Sequence, residues 1–496
     1  MGYVILSNQI VFDAASGTGG LQDAINQAQT TKLPLFIKPG TYPTGDLTIS
    51  GPVKIFATPG TVDLVSNSTS YAFTLNIRPN SVDARIADVT LDGLGFFAAN
   101  LPFATEVDTT KRFVYSQFLR PLGTATAVKF NAVVSAYNVD NLRIERCKLS
   151  YSYCAGVALW TSKAIIRDCR IQNCRMAAIY SANNYATEIQ DNFIHENNNN
   201  AIVVMRSQIG QDGTIVRGNQ VYHTNADFGA GAGQVGGSGW YGNGFIALNA
   251  NEIVVSNNLF FNSKFSGVRL GSCFNAQVTN NQILNSGETA LMWEAPIPPP
   301  SGVYGDTNPN RFEGGVISGN TVIDFGDGIN VTNGWHGGRR VTVTGNQVKT
   351  GVKRTIKTND PDWPQYDTTG TGISVCSDCV VTGNIVEDCL SSCGILVGPG
   401  SYANGSPRKS AGVATGNLTR ECKFGIGFTL DPNGYTLISN NIAEGSTSGA
   451  IVPVSLPPPY YTFVRVAGSS DYGTVNGGVV NAKPYATIMI GTNFAM

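Results

Sequence analysis

Glu294 closes the run Leu291-Met292-Trp293-Glu294 and is the carboxylate best placed in this chain for acid–base or nucleophilic work. An indole beside it offers an apolar setting that raises a carboxyl pKa, whereas Arg269 would pull the other way and keep it ionised. A carboxylate held beside a cation serves as base or nucleophile while a second, protonated group acts as acid. His336, one of 3 histidines, is the candidate partner. Asn330, Arg206, Asn243 and Arg339 are the polar candidates for holding a substrate. Trp160, Tyr180, Trp240, Tyr241 and Trp335 have flat faces that suit the C–H faces of sugar rings. The same residues also have plain structural readings. Glu294 and Arg269 form an ion pair between stacked strands, His336 fills a Gly-rich turn, Asn330 ends a strand, and the aromatic rings cap the packing.

These residues lie far apart along the chain, so a repeating scaffold must bring them together. The phrase Gly-Asn-x-(Ile/Val/Leu), or its Asn-Asn variant, supplies it. Copies stand at Gly218-Asn219, Asn257-Asn258, Asn280-Asn281, Gly319-Asn320, Gly345-Asn346, Gly383-Asn384, Gly416-Asn417 and Asn440-Asn441. Neighbouring copies are mostly roughly 23 to 39 residues apart, the spacing of a solenoid. Each copy follows a short β-rich run such as Glu252-Ile253-Val254-Val255-Ser256. It precedes a second run, Leu259-Phe260-Phe261, and then a third that starts at a small residue, Ser266-Gly267-Val268-Arg269-Leu270. Three short strands and three turns make one coil. The Asn is expected to take the left-handed backbone of the turn and to hydrogen-bond from coil to coil. Earlier coils carry Arg146-Cys147, Asp168-Cys169 and Asp191-Asn192 at that place. Period-two alternation points Val268 and Leu270 inward and Arg269 outward. One outward row then reads Ala158, Tyr180, Val203, Ile246, Arg269, Met292, Asn330, Ser374. The adjacent row reads Trp160, Ala182, Met205, Leu248, Gly271, Glu294, Thr332, Cys376. With rungs about 4.8 Å apart, Arg269, Glu294 and Asn330 are expected within a few ångströms of one another.

An open stack of strands needs a cover. Leu21-Gln22-Asp23-Ala24-Ile25-Asn26-Gln27-Ala28 reads as a short amphipathic helix, followed by the strand and turn Pro34-Leu35-Phe36-Ile37-Lys38-Pro39-Gly40-Thr41-Tyr42 and then Gly45-Asp46-Leu47-Thr48-Ile49. This order resembles the N-terminal cap of the pectate-lyase-like β-helix superfamily. The later coils resemble an uncharacterised bacterial repeat family within it that usually carries a twin-arginine export signal. The chain lacks that segment and the Asp-Asp pair often found before such a helix. The resemblance implies an all-β fold, a right-handed single-stranded parallel β-helix with a short capping helix. Residues 1–137 form the cap and first coils, 138–455 the repeat domain of about eleven coils, and 456–496 a β-rich tail that closes or flanks the last coil.

A β-helix core is inert, so chemistry must come from outward side chains and from loops beside them. The long insertions are Phe228 to Tyr241, Pro296 to Phe312, Gly334 to Arg340 and Lys353 to Thr369, and together they suggest the walls of a cleft. Asp360, Asp362 and Asp367 offer hard oxygen ligands and leave Ca²⁺ open, but their spacing is not that of an EF-hand and a solvated loop is the favoured reading; no other cofactor and no zinc motif is expected. Cys376/Cys379 and Cys389/Cys393 read as buried free thiols, with a disulfide between neighbouring coils left open. With 496 residues, a formal charge of -1 and 14% charged residues, the chain shows no basic stripe for nucleic acid and no long apolar run for a membrane span. A secreted or periplasmic location is expected if an export signal has been removed. The function that follows is a carbohydrate-active enzyme cleaving or transferring glycosidic bonds in a polysaccharide or oligosaccharide, hydrolysis or transfer being favoured over elimination. The alternative is a non-catalytic glycan-binding or phage tailspike-type β-helix, with homo-oligomerisation, as dimer or trimer, left open.

Overall fold

A computed structural model describes residues 2–13, 20–67, 74–81, 83–97, 132–152, 155–174, 177–224, 242–295, 312–331, 338–357, 365–376, 378–398, 411–429, 435–455, 463–466, 487–490 and 494–495. They fall into two compact units, residues 1–245 with 359–361, and 246–358 with 362–496.

The first unit is built from three parallel ladders. One runs through Ile10–Asp13, Leu35–Ile37, Val53–Phe56, Ile86–Asp92, Val139–Glu145, Ala164–Arg167, Glu188–Gln190 and Ile215–Arg217. A second joins Gly40–Thr44, Val62–Ser66, Leu94–Phe97, Lys148–Ser150, Arg170–Gln172, Phe193–Asn197 and Gln220–Thr224. The third includes Leu47–Ile49, Leu75–Ile77, Ala132–Tyr137, Ala155–Trp160, Ala177–Ala182 and Asn200–Gln211. The capping helix runs from Leu21 to Thr31 and buries Leu21, Ala24, Ile25 and Ala28, the i, i+3, i+4, i+7 face its sequence marks out. Its polar side chains finish the open edge. The Gln22 amide donates to Thr48 O at 2.9 Å and accepts from Thr48 N at 2.8 Å, and Gln29 Oε1 accepts from Ser50 N at 2.8 Å. Side-chain amides thus stand in for the missing strand.

The second unit repeats the same plan. Val254–Ser256, Ala276–Thr279, Phe312–Ser318, Gly338–Thr344, Val380–Thr382, Ala411–Thr415 and Tyr435–Ser439 form one ladder, which Thr487–Ile490 of the tail extends. At the next corner stands a file of buried asparagines, Asn258, Asn281, Asn320, Asn346, Asn384, Asn417 and Asn441, each at most 2% exposed. Asn346 shows the pattern. Its Oδ1 accepts from the backbone N and from Nδ2 of Asn320, both at 2.9 Å. Its Nδ2 donates to Ile317 O and Thr344 O, both at 3.1 Å, and to Asn384 Oδ1 at 2.9 Å. The two tasks expected of one Asn are divided between two residues. The first residue of each pair takes the left-handed backbone (Gly319, Gly345, Gly383 and Gly416 at φ 64 to 65°, Asn257, Asn280 and Asn440 at 55 to 56°), and the second builds the file. Among the described residues no helix is long and apolar enough to cross a membrane.

Candidate functional site

The distinctive chemistry of the second unit begins at a bulge. Gln282–Glu294 and Thr321–Val331 each run through two strand positions without a break, and they pair in register at Ser286↔Phe325 and again at Thr289↔Asp327. Between these pairs two residues, Gly287 and Glu288, face one, Gly326, so the extra residue lies between Ser286 and Thr289. Bulges of this kind re-aim a side chain. Here Glu288 is turned towards Arg269, whose Nη1 lies 3.0 Å from Glu288 Oε2. The other side of the same guanidinium is held by Glu294, with Nε at 2.7 Å and Nη2 at 2.5 Å from its Oε1. Arg269 and Glu288 are each 8% exposed. Burial works against the charge on Arg269, but Glu294 and Glu288 outweigh it and its pKa rises above the usual arginine range.

An insertion closes over this group. The antiparallel strands Thr355–Lys357 and Gln365–Asp367 bring the Tyr366 hydroxyl to Glu288 Oε1, to which it donates at 2.6 Å. At the base of the insertion Arg354 donates to Ser286 O at 2.7 Å and pairs with Asp324. Beyond it, Thr369 and Thr371 wrap Asp327, whose Oδ1 accepts from Thr369 Oγ1 at 2.6 Å, Thr369 N at 3.1 Å and Thr371 N at 3.2 Å. Burial raises the Asp327 pKa, these hydrogen bonds oppose it, and the nearby charge of Glu288 adds to the rise. Two carboxylates on adjacent strands thus sit in contrasting settings: Glu288 against a guanidinium, Asp327 among Thr369 and Thr371 with no guanidinium partner among the described residues.

Residues 126–243 match the family described as the right handed beta helix region. The chain is a right-handed parallel β-helix. No curated protein sequence matches it. Among solved structures it is similar to the N-terminal fragment of gene product 12 of bacteriophage phi29 (11% identity, 88% of this chain and 67% of that one, TM-score 0.48). It is also similar to the PL6 family alginate lyase AlyGC (10%, 88% and 73%, 0.41) and to an exopolygalacturonase from Thermotoga maritima (10%, 86% and 83%, 0.33). At such identities the likeness stops at the fold.

Within the β-helix the expected rows are in register: Ala158↔Tyr180↔Val203 in the first unit, and Arg269↔Met292↔Asn330↔Ser374 in the second. Their exposure differs from expectation. Ala158, Tyr180 and Val203 are each 1% exposed, and the Tyr180 hydroxyl donates to Met205 Sδ at 3.2 Å, so Tyr180 presents no face to a sugar. Asn243 is fully buried and donates to Asn200 Oδ1 from its backbone N at 2.9 Å and from Nδ2 at 3.0 Å; it is a scaffold residue. Arg206 turns to Asn184 O at 2.7 Å and towards Asp212, with Nη1 at 3.7 Å from its Oδ2. Trp160 is half-buried at its strand end. Arg269 and Glu294 meet as expected, but Asn330 stands two rungs from Arg269 with Met292 between them. Trp293 does not line Glu294. Its ring is fully buried against Phe312, with centroids 5.7 Å apart, and Nε1 donates to Cys273 O at 3.2 Å, because neighbours along a strand face opposite ways. Arg339 sits in a different ladder and pairs with Glu313 at 3.0 Å, away from this group. His336, Trp335, Trp240 and Tyr241 lie outside the described residues, as do Asp360 and Asp362. Asp367 pairs with Lys353 at 2.9 Å, and its hydrogen bond to that lysine lowers its pKa. Among the described residues no three His, Cys, Asp or Glu side chains gather to hold a metal.

Sequence reasoning did not single out Glu288 or Tyr366 as site residues. The signal was a carboxylate in the turn just before the small residue of a coil, Gly287-Glu288-Thr289-Ala290, repeated one coil later as Gly326-Asp327-Gly328.

Proposed function

We propose that the second unit cleaves glycosidic bonds, with Asp327 as general acid and Glu288 as base or nucleophile. The observation that carries this reading is the pair of adjacent carboxyl groups in opposed environments. Burial keeps Asp327 protonated to higher pH than an ordinary carboxyl, while Glu288 pairs with Arg269 and accepts from the Tyr366 hydroxyl. A protonated carboxyl beside a carboxylate held by a guanidinium is the arrangement that divides acid from base. Glu294 then acts by fixing Arg269 in place, and Tyr366, carried on the insertion, orients Glu288. Hydrolysis or transfer is favoured over elimination by the same geometry. A lyase needs a cation free to neutralise a uronate carboxylate, and Arg269 is already engaged by two carboxylates while Arg354 is paired with Asp324.

The test is a panel of neutral and acidic polysaccharides, read by reducing-end release and by the absorbance of unsaturated products. Asp327→Asn and Glu288→Gln are each expected to lower reducing-end release by at least about a hundredfold, the ordinary contribution of a positioned acid or base, and the residual rate of Asp327→Asn should lose its alkaline limb. Wild-type rates in both variants would refute the assignment. Glycan binding by the wild type with no product of either kind would leave a binding protein whose buried ion pairs are structural.

A further inference from the structure

A second surface lies wholly within the first unit. On the ladder Lys148–Ser150, Arg170–Gln172, Phe193–Asn197 and Gln220–Thr224, inward Leu149, Ile171, Ile194 and Val221 are fully buried. The alternate positions are Lys148, Arg170, Phe193 and Gln220 in one row and Ser150, Gln172, His195 and Tyr222 in the next, paired rung to rung. Lys148 and Arg170 are directly opposed on neighbouring strands, where like charges repel. On the adjoining ladder of the same unit, arginines are matched with carboxylates: Arg146 with Asp92, and Arg167 with Glu145 at 3.2 Å. Here the cations lie over rings instead. The Lys148 ammonium is 4.6 Å from the centre of Phe97 and the Arg170 guanidinium 5.2 Å from that of Phe193. The remaining polar contacts of Arg170 are Gln172 Oε1 and His195 Nε2, both at 3.3 Å, and among the described residues no carboxylate pairs with Lys148 or Arg170. The rings continue as a patch, Phe193 against His195 at 5.0 Å and against Tyr222 at 5.5 Å.

We propose that this face binds an acidic polysaccharide lying across the rungs, its carboxylates on Lys148 and Arg170 and its sugar faces on Phe193 and Tyr222. Two cations opposite each other, with no carboxylate partner among the described residues, select an anion. Flat half-buried rings beside them select a ligand that offers C–H faces as well as charge. An extended glycan advances by roughly one rung spacing per pyranose, so successive sugars meet equivalent side chains on successive strands. Nucleic acid also combines charge with flat faces, but the chain as a whole carries a net charge of -1, which disfavours a polyphosphate partner.

The experiment uses the full chain in affinity electrophoresis and calorimetry with polygalacturonate, neutral dextran and single-stranded DNA at matched salt. Polygalacturonate is expected to bind in preference to both, more weakly as salt is raised. The double variant Lys148→Gln/Arg170→Gln should weaken that binding at least about tenfold, and Tyr222→Ala by several-fold, with unchanged circular dichroism. Asp327→Asn/Glu288→Gln should bind as the wild type does, which separates this surface from the proposed cleavage site. The proposal is overturned if polygalacturonate does not bind, if DNA binds as tightly, or if binding survives the Lys148/Arg170 change but is lost with Asp327 and Glu288.

Discussion

Replacing Arg269 by methionine tests the account of the second unit most directly, because an unbranched apolar stem is kept while the charged guanidinium is removed. The Arg269 side chain is 9% exposed, and the side chains whose carboxylates it separates, Glu288 and Glu294, are 10% and 16% exposed. Removing one member of a buried ion pair costs about 3–5 kcal/mol, because the partner is left charged and desolvated. Two carboxylates are orphaned here, but Glu288 keeps the Tyr366 hydroxyl and Glu294 is the more exposed, so about 3–4 kcal/mol is the expected loss near neutral pH. The cause is charge, so the loss should shrink when Glu288→Gln and Glu294→Gln are added to Arg269→Met. Urea unfolding followed by tryptophan fluorescence, with the buried Trp293 as reporter in this unit, gives the free energies for the full cycle. An Arg269→Met protein within about 0.5 kcal/mol of wild type, or one that the two glutamines fail to rescue, would refute the reasoning.

Asn346→Ala removes five hydrogen bonds at the centre of the asparagine file and leaves the Asn320 N–H without an acceptor; a loss of about 3 kcal/mol is expected from urea unfolding. Asp212, 2% exposed, is pushed up to about 6 by burial, an effect that the Thr214 hydroxyl and Arg206 only partly offset. Between the ordinary value of 3.8 and about 6 the folded chain keeps a proton that the unfolded chain releases, so this residue's contribution to stability falls as pH rises through that window. The difference in unfolding free energy between Asp212→Asn and wild type, measured from pH 4 to 7, should therefore move in favour of the variant by about 3 kcal/mol; a flat difference would refute the shift. The nine described cysteines are buried, and burial pushes Cys174 up to about 12. A thiol reagent at pH 8 should label them only as fast as the protein unfolds, and rapid stoichiometric labelling in native buffer would contradict their placement.

The repeat made the coils legible because each rung meets the same local demands. A left-handed corner wants Gly or Asn, the next residue wants a side chain that both donates and accepts, and the strands want period-two alternation. The phrase Gly345-Asn346 carries all of that within two residues, and the row from Arg269 through Met292 to Asn330 followed from counting alone. Counting fails where a rung departs from the pattern. The extra residue before Thr289 cannot be seen in the strand's own composition, since Glu288 looks like any polar turn residue until the neighbouring strand shows two residues facing one. Tyr366 lies 78 residues from Glu288 in sequence and reaches it only because the insertion folds into a hairpin.

The amino-acid sequence by itself therefore determined the β-helix, its capping helix, its asparagine corner and the meeting of Arg269 with Glu294, because all of these arise from short-range periodicity copied rung after rung. The tertiary structure decided which of the aligned side chains have water before them. It buried Tyr180 and Asn243, turned Trp293 into the core, and gathered Glu288, Tyr366 and Asp327 around the Arg269 cluster. Exposure and charge pairing depend on what packs over a strand from elsewhere in the chain, and no local pattern records that.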